Sequence, residues 1–167
     1  SYMPLALSKD GQVTSPPENW NDWASVVKNF IEHYSGKTNR NLAHVYYEVW
    51  NEPDLFGNWK ISGCRLLDLG CDPNKDYKTL YLQSVSGAQQ AKNTNPFFIG
   101  GPATTSFYPA WFDKLLEFCE TKNLRLDFLS WHSYHPETDF YNQELEDLRT
   151  IIEKHPRFLG IKKIISE

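Results

Sequence analysis

Five short apolar runs punctuate this chain, and between them apolar residues return at helical spacing. The runs cover residues 2–7, 45–50, 97–102, 126–134 and 161–167. They are rich in the β-branched and aromatic side chains that suit a pleated, buried surface. The helical stripes are Trp20, Trp23, Val27, Phe30, Ile31 and Tyr34, then Tyr77, Leu80, Tyr81, Val85 and Ala88. Two more follow, Trp111, Leu115, Phe118 and Cys119, and Leu145, Leu148, Ile151 and Ile152. Ser15, Pro16 and Glu18 read as a capped helix start with proline at the first helical position, and Gly36 as its stop. Strands apolar at nearly every position, each followed by a helix, predict a parallel sheet buried on both faces with helices outside it.

The count of runs sets a second constraint. Five strands cannot close an eight-stranded barrel, for which about 250 residues is typical, and this chain has 167. The expected fold class is α/β: a (β/α)8 TIM barrel, here an incomplete segment, with residues 1–167 forming one partial domain cut at both ends. Unpaired edges on its first and last strands would invite self-association.

Chemistry concentrates where the apolar runs stop. The run 45–50 ends abruptly on Asn51-Glu52 and is closed by Pro53, which cannot continue a ladder. The last run ends on Glu167. Strand tips around one barrel rim converge, and that rim is where such barrels hold catalytic groups. A carboxyl pair about 5 Å apart is what double-displacement glycoside hydrolysis needs: one attacks the anomeric carbon, the other gives and then takes a proton. The competing reading of either Glu is a solvated strand end. Aromatic residues make up 15% of the chain, enough to furnish sugar-stacking platforms as well as a core. Trp59, in the unpatterned loop 54–76, is the candidate platform, whereas Trp131 lies on the packing face of its strand.

Other classes fit poorly. A net charge of −4 with scattered charges gives no footprint for nucleic acid or an anionic membrane, and no apolar run is long enough to span a bilayer. His132 and His135 lie three apart, on opposite faces of a strand, so no metal site is expected from them. Cys64 and Cys71 could close a loop by a disulfide, or remain thiols, while Cys119 reads as a buried thiol. Asp127 reads as a structural hydrogen-bonder, and His33, His44 and His155 as surface or core residues.

Tyr47 to Pro53, Tyr-Glu-Val-Trp-Asn-Glu-Pro, resembles the acid/base motif on the fourth strand of clan A glycoside hydrolases. Gly100-Gly101-Pro102-Ala103, the segment from Asp127 to Tyr134 and Tyr2-Met3-Pro4 resemble one member, glycoside hydrolase family 39, which includes β-xylosidases and α-L-iduronidases. The match runs in the family's order from its third strand to its seventh. The resemblance implies that Glu52 is the acid/base, that Asn51 binds the sugar 2-hydroxyl, and that Glu167 is the nucleophile. His132 and Tyr134 would line the reacting-sugar subsite, and Gly101 and Pro102 would shape its floor. It implies a carbohydrate substrate, a retaining mechanism, no cofactor, and secretion, as befits polysaccharide substrates. The chain ends at Glu167, before the aromatic residue that follows the family's nucleophile. A non-catalytic carbohydrate-binding relic, or an inactive fragment, is the alternative.

Overall fold

The computed structural model describes residues 2–64 and 69–167, so part of the loop 54–76 lies outside the described residues. Its elements are α1 (Trp20–Ser35), β1 (Val45–Glu48), α2 (Tyr77–Gln90), β2 (Phe97–Thr104), α3 (Pro109–Thr121), β3 (Phe128–Trp131), α4 (Thr138–Ile152) and β4 (Lys162–Ile165). The strands form one sheet in the order β1-β2-β3-β4, every pair parallel. Spatial order equal to chain order, with a helix on each crossover, is the winding of a (β/α) barrel.

The sheet is curled. Three strand spacings would set β1 and β4 about 14 Å apart in a flat sheet. Yet Lys162 of β4 lies over the rings of Tyr46 and Phe98, at 5.0 and 4.6 Å. Ser166, just past β4, donates to Glu48 Oε1 at 3.1 Å. The concave face therefore gathers side chains from both outer strands. The convex face carries Ile99, Leu129 and Trp131 into the core against Leu80, Phe112 and Leu115, all at most 1% exposed. Each buried side chain of this size is worth roughly 1.5–3 kcal/mol.

Helix starts are set by short polar side chains. Asn19 Oδ1 accepts from the Asn21 amide at 2.9 Å, and Asp76 Oδ2 accepts from Thr79 N and Oγ1. Asp127 is the structural hydrogen-bonder expected of it: its Oδ2 accepts from Ile99 N and Arg125 Nε, joining β2 to the start of β3. Cys119 is buried, and desolvation pushes its thiol up to about 12.

Four expectations need correction. Residues 2–7, the proposed family third strand, form no strand: Met3 N bonds Val13 O, and Leu5–Leu7 is a 3₁₀ turn. Pro4 has no amide for a ladder, and the segment folds across the tip of β1, where Tyr2 meets Trp50 and Phe56 edge-on. The capping box at Ser15 does not form. A proline at 17 disfavours helical backbone at Pro16, so 15–17 run extended against 7–9 and Asn19 caps instead. The strand ending at Trp50 stops at Glu48, because the backbone turns there. On α4 the inward residue is Glu144, 8% exposed, while Leu145 is 38% exposed.

Candidate active site

Glu52 reaches the rim through a strained turn. Beyond β1, Val49 O accepts from the buried Tyr77 hydroxyl at 2.9 Å. Trp50 (φ 73°) and Glu52 (φ 47°) then both take the left-handed region, which non-glycine residues adopt only where their surroundings enforce it. Here the enforcement is visible. Trp50 is 2% exposed and its Nε1 donates to Phe56 O at 2.9 Å. Glu52 O accepts from the amides of Leu55 and Phe56, and Glu52 N donates to Ala103 O at 2.8 Å. Pro53 allows the turn and forbids the strand. Asn51 lies half-buried between Trp50 and Glu52.

Alternation along β3 sends Trp131 outward and His132 to the concave face. The His132 ring is fully buried, with Nδ1 2.8 Å from Glu52 Oε1 and 3.6 Å from Glu167 Oε2. Tyr134 OH donates to Glu167 Oε2 at 2.8 Å. Ligand-capable atoms of Glu52, His132 and Glu167 all lie within 4.8 Å of one another. A donor set of two carboxylates and an imidazole could also hold a divalent cation. Glu52 is nearly enclosed, its side chain 12% exposed, whereas that of Glu167 is 53% exposed. His135 is turned away and stacks on Phe140 at 4.4 Å.

The hydrogen bond to Glu167 raises the Tyr134 phenol above its ordinary value, with some desolvation and the two carboxylate charges adding to it. Tyr134 thus stays a donor at alkaline pH. Ultraviolet pH titration, differenced against Tyr134→Phe, should place its ionisation above that of free tyrosine. Glu167→Gln should bring it back down. A Tyr134 ionisation unmoved by Glu167→Gln would contradict the contact.

Two predicted site residues are placed otherwise. Trp59 is 0% exposed and wedged edge-on between Trp20 and Trp50, so it offers no face to a sugar. Gly101 does not shape the floor of the rim: a Cβ there would lie 2.6 Å from Tyr77 OH, on the helix side of the sheet. Glycine is needed because the Tyr77–Val49 hydrogen bond passes so close. Gly101→Ala should cost about 1–3 kcal/mol through that buried bond, read as a lower urea midpoint. An unchanged midpoint would refute it. Pro102, buried and paired in register with Ser130, shares the concave side with His132.

Several residues went unread in the sequence. Glu48 and Ser166 meet beneath the carboxylate pair, a contact visible only once the sheet curls. Asp54 accepts from Thr105 N at 3.0 Å and from its hydroxyl, tying the loop after Glu52 to the tip of β2. Beside it opens a cleft of about 790 Å³, lined among others by Asp54, Lys60, Asp72, Lys75 and Trp111. Cys64 and Cys71 form a disulfide at its edge.

Comparison of the sequence with known proteins points to one family. The sequence model of "Glycosyl hydrolases family 39" matches residues 6–167. A β-xylosidase of Geobacillus stearothermophilus is 33% identical over 164 residues, covering 87% of this chain. A β-xylosidase of Caldicellulosiruptor saccharolyticus is 27% identical over 143 residues, covering 80%. The chain spans only 29% and 26% of those two relatives' lengths. Among solved structures, a GH39 β-xylosidase from Caulobacter crescentus superposes with a TM-score of 0.60 at 24% identity, covering 84% of this chain and 28% of that one. At that identity the likeness speaks for the barrel fold.

Proposed function

Because this chain belongs to glycosyl hydrolase family 39, we propose that the protein carrying it hydrolyses O-glycosidic bonds with retention, on β-xylosides or related glycosides. The observation that carries the reading is the approach of Glu52 and Glu167 to within 4.8 Å, with His132 Nδ1 between them. Retaining enzymes hold their carboxyls about 5–5.5 Å apart, and inverting ones leave roughly 6.5–9.5 Å for a water.

In the proposed reaction Glu167 attacks the anomeric carbon while Glu52 protonates the departing oxygen. A glycosyl ester forms on Glu167 and the aglycone leaves as an alcohol. Water then enters, gives its proton to Glu52, and its oxygen displaces the ester. The placement of the two glutamates supports this division of labour. The enclosed Glu52, turned toward an imidazole, suits the proton-carrying role. Glu167 Oε2 accepts from Tyr134 OH, a contact that would orient the carboxylate for attack. Asn51, His132 and Tyr134 are proposed to bind the reacting sugar, and the cleft beside Asp54 to receive the leaving group. The printed names of the two β-xylosidases support xylosides as the first substrates to try. The Cys64–Cys71 disulfide supports an oxidising, extracytoplasmic setting.

The test is hydrolysis of a panel of aryl glycosides by the full-length protein, with and without chelator. We expect turnover of xylosides that chelator leaves unchanged. Binding of sugars without turnover by folded protein would replace this reading with that of a carbohydrate-binding relic. Loss of activity with chelator would assign the same three side chains to a metal.

A further inference from the structure

We propose that Glu144, a buried carboxylate on α4, is a positioning residue that holds His132 and Glu167 in register with Glu52. The proposal rests on the functional reading above, but its contacts stand without it. Glu144 Oε2 accepts from Trp131 Nε1 at 2.9 Å and Oε1 accepts from Ser133 Oγ at 3.1 Å. These donors are the residues on either side of His132. All three partners are buried, with Glu144 8%, Trp131 0% and Ser133 5% exposed.

The geometry explains why a charge is kept inside. Neighbours in an extended chain point to opposite sides, so anchoring 131 and 133 outward fixes the direction in which 132 points inward. One carboxylate bonding both neighbours sets their separation and their twist. Charge-assisted hydrogen bonds are short and directional, and they offset the cost of burying the carboxylate. A leucine here would leave an indole N–H and a hydroxyl buried without an acceptor. One helical turn earlier on the same face, Tyr141 OH reaches Ser133 O at 3.1 Å and His135 O at 2.8 Å, bracketing Tyr134.

The clamp also reaches the other side of the site. Ser133 N donates to Glu167 O at 3.0 Å, and Ser166 N donates to Trp131 O at 3.0 Å. Glu144 therefore grips the two β3-side residues whose backbones hold the segment bearing Glu167. It touches no reacting atom. Its action is on the placement of Glu52, His132 and Glu167, where an error of about 1 Å can cost 10²-fold.

The test uses the full-length protein and four variants: Glu144→Leu, Glu144→Gln, His132→Ala, and the double variant Glu144→Leu with His132→Ala. Glutamine can accept from the Trp131 indole and donate to the Ser133 hydroxyl, so it should stay within about 3-fold of wild type. Leucine should lower kcat about 10–100-fold with KM little changed. The share of the loss that runs through His132 should vanish in the His132→Ala background, so leucine should cost clearly less there than in wild type. A full-sized additional loss there, a folded leucine variant with wild-type kcat, or a glutamine variant as poor as leucine would each overturn the proposal. Should Glu144→Leu not fold, Ser133→Ala removes one arm and should lower kcat several-fold at unchanged KM; an unchanged kcat would overturn it. The His132 ring ¹⁵N resonances give a readout independent of turnover. They should shift in Glu144→Leu and not in Glu144→Gln. If wild type proves inactive on glycosides, the functional reading fails alone, and these resonances still decide the positioning role.

Discussion

Glu167→Ala should abolish turnover on every glycoside, lowering kcat by on the order of 10⁴-fold or more in the full-length protein. The side chain accepts from Tyr134 OH at 2.8 Å and lies 3.6 Å from His132 Nδ1. Thermal unfolding measured beside kcat separates a loss of folded protein from the loss of a nucleophile. The loss should not depend on the leaving group, because without a nucleophile neither a good nor a poor aglycone has a partner at the anomeric carbon. Kinetics on a series of aryl glycosides checks this. A variant keeping more than about a tenth of wild-type kcat would remove Glu167 from the mechanism.

Glu52→Ala should behave differently, and the difference is the informative part. General acid catalysis is worth about 10²–10⁴-fold, and it matters most when the departing oxygen is a poor leaving group. Unactivated xylosides should lose that full amount. Glycosides with a strongly acidic phenol should still glycosylate Glu167, then stall, because the water of the second step lacks a base. A burst of phenol followed by slow turnover is the expected trace. Removing Glu52 also leaves His132 Nδ1 without its 2.8 Å partner. Among the described residues, Nδ1 of the buried imidazole then has only Glu167 within reach, at 3.6 Å, so a stability loss of about 1–3 kcal/mol should accompany the kinetic effect. Equal losses on good and poor leaving groups would argue against an acid/base role.

The parts of the fold legible in the sequence were those with a period. Four helices and four strands stand close to where apolar spacing put them, and Glu52 was found because an apolar run ended on a polar pair before Pro53. Local pattern failed where the outcome depended on the third dimension. Residues 2–7 are as apolar as a strand, but the run carries no signal of the turn that folds it across β1. Trp59 sat in a loop without periodicity, which gives a side chain no direction, and two other tryptophans enclosed it. The apolar stripe of α4 begins at Leu145 in the sequence, but that residue is 38% exposed and Glu144 is the buried one. Yet the stripe through Leu148 and Ile152 extends back to Glu144, four residues before Leu148, and that spacing was readable. A carboxylate adds nothing to an apolar pattern. The donors that make a carboxylate acceptable there, the Trp131 indole and the Ser133 hydroxyl, lie on a different element. Glu48 and Ser166 were hidden for a similar reason, since only the curl of the sheet brings β1 and β4 together.

The most direct test of the two-glutamate site is the anomeric configuration of the glycosyl azide formed when azide rescues each alanine variant, read by ¹H NMR. Azide attacking the glycosyl-enzyme of Glu52→Ala should give a product of the substrate's own configuration. Azide taking the place of the missing carboxylate in Glu167→Ala should give the opposite one. The same configuration from both variants, or rescue of neither, would contradict the assignment of Glu52 as acid/base and Glu167 as nucleophile.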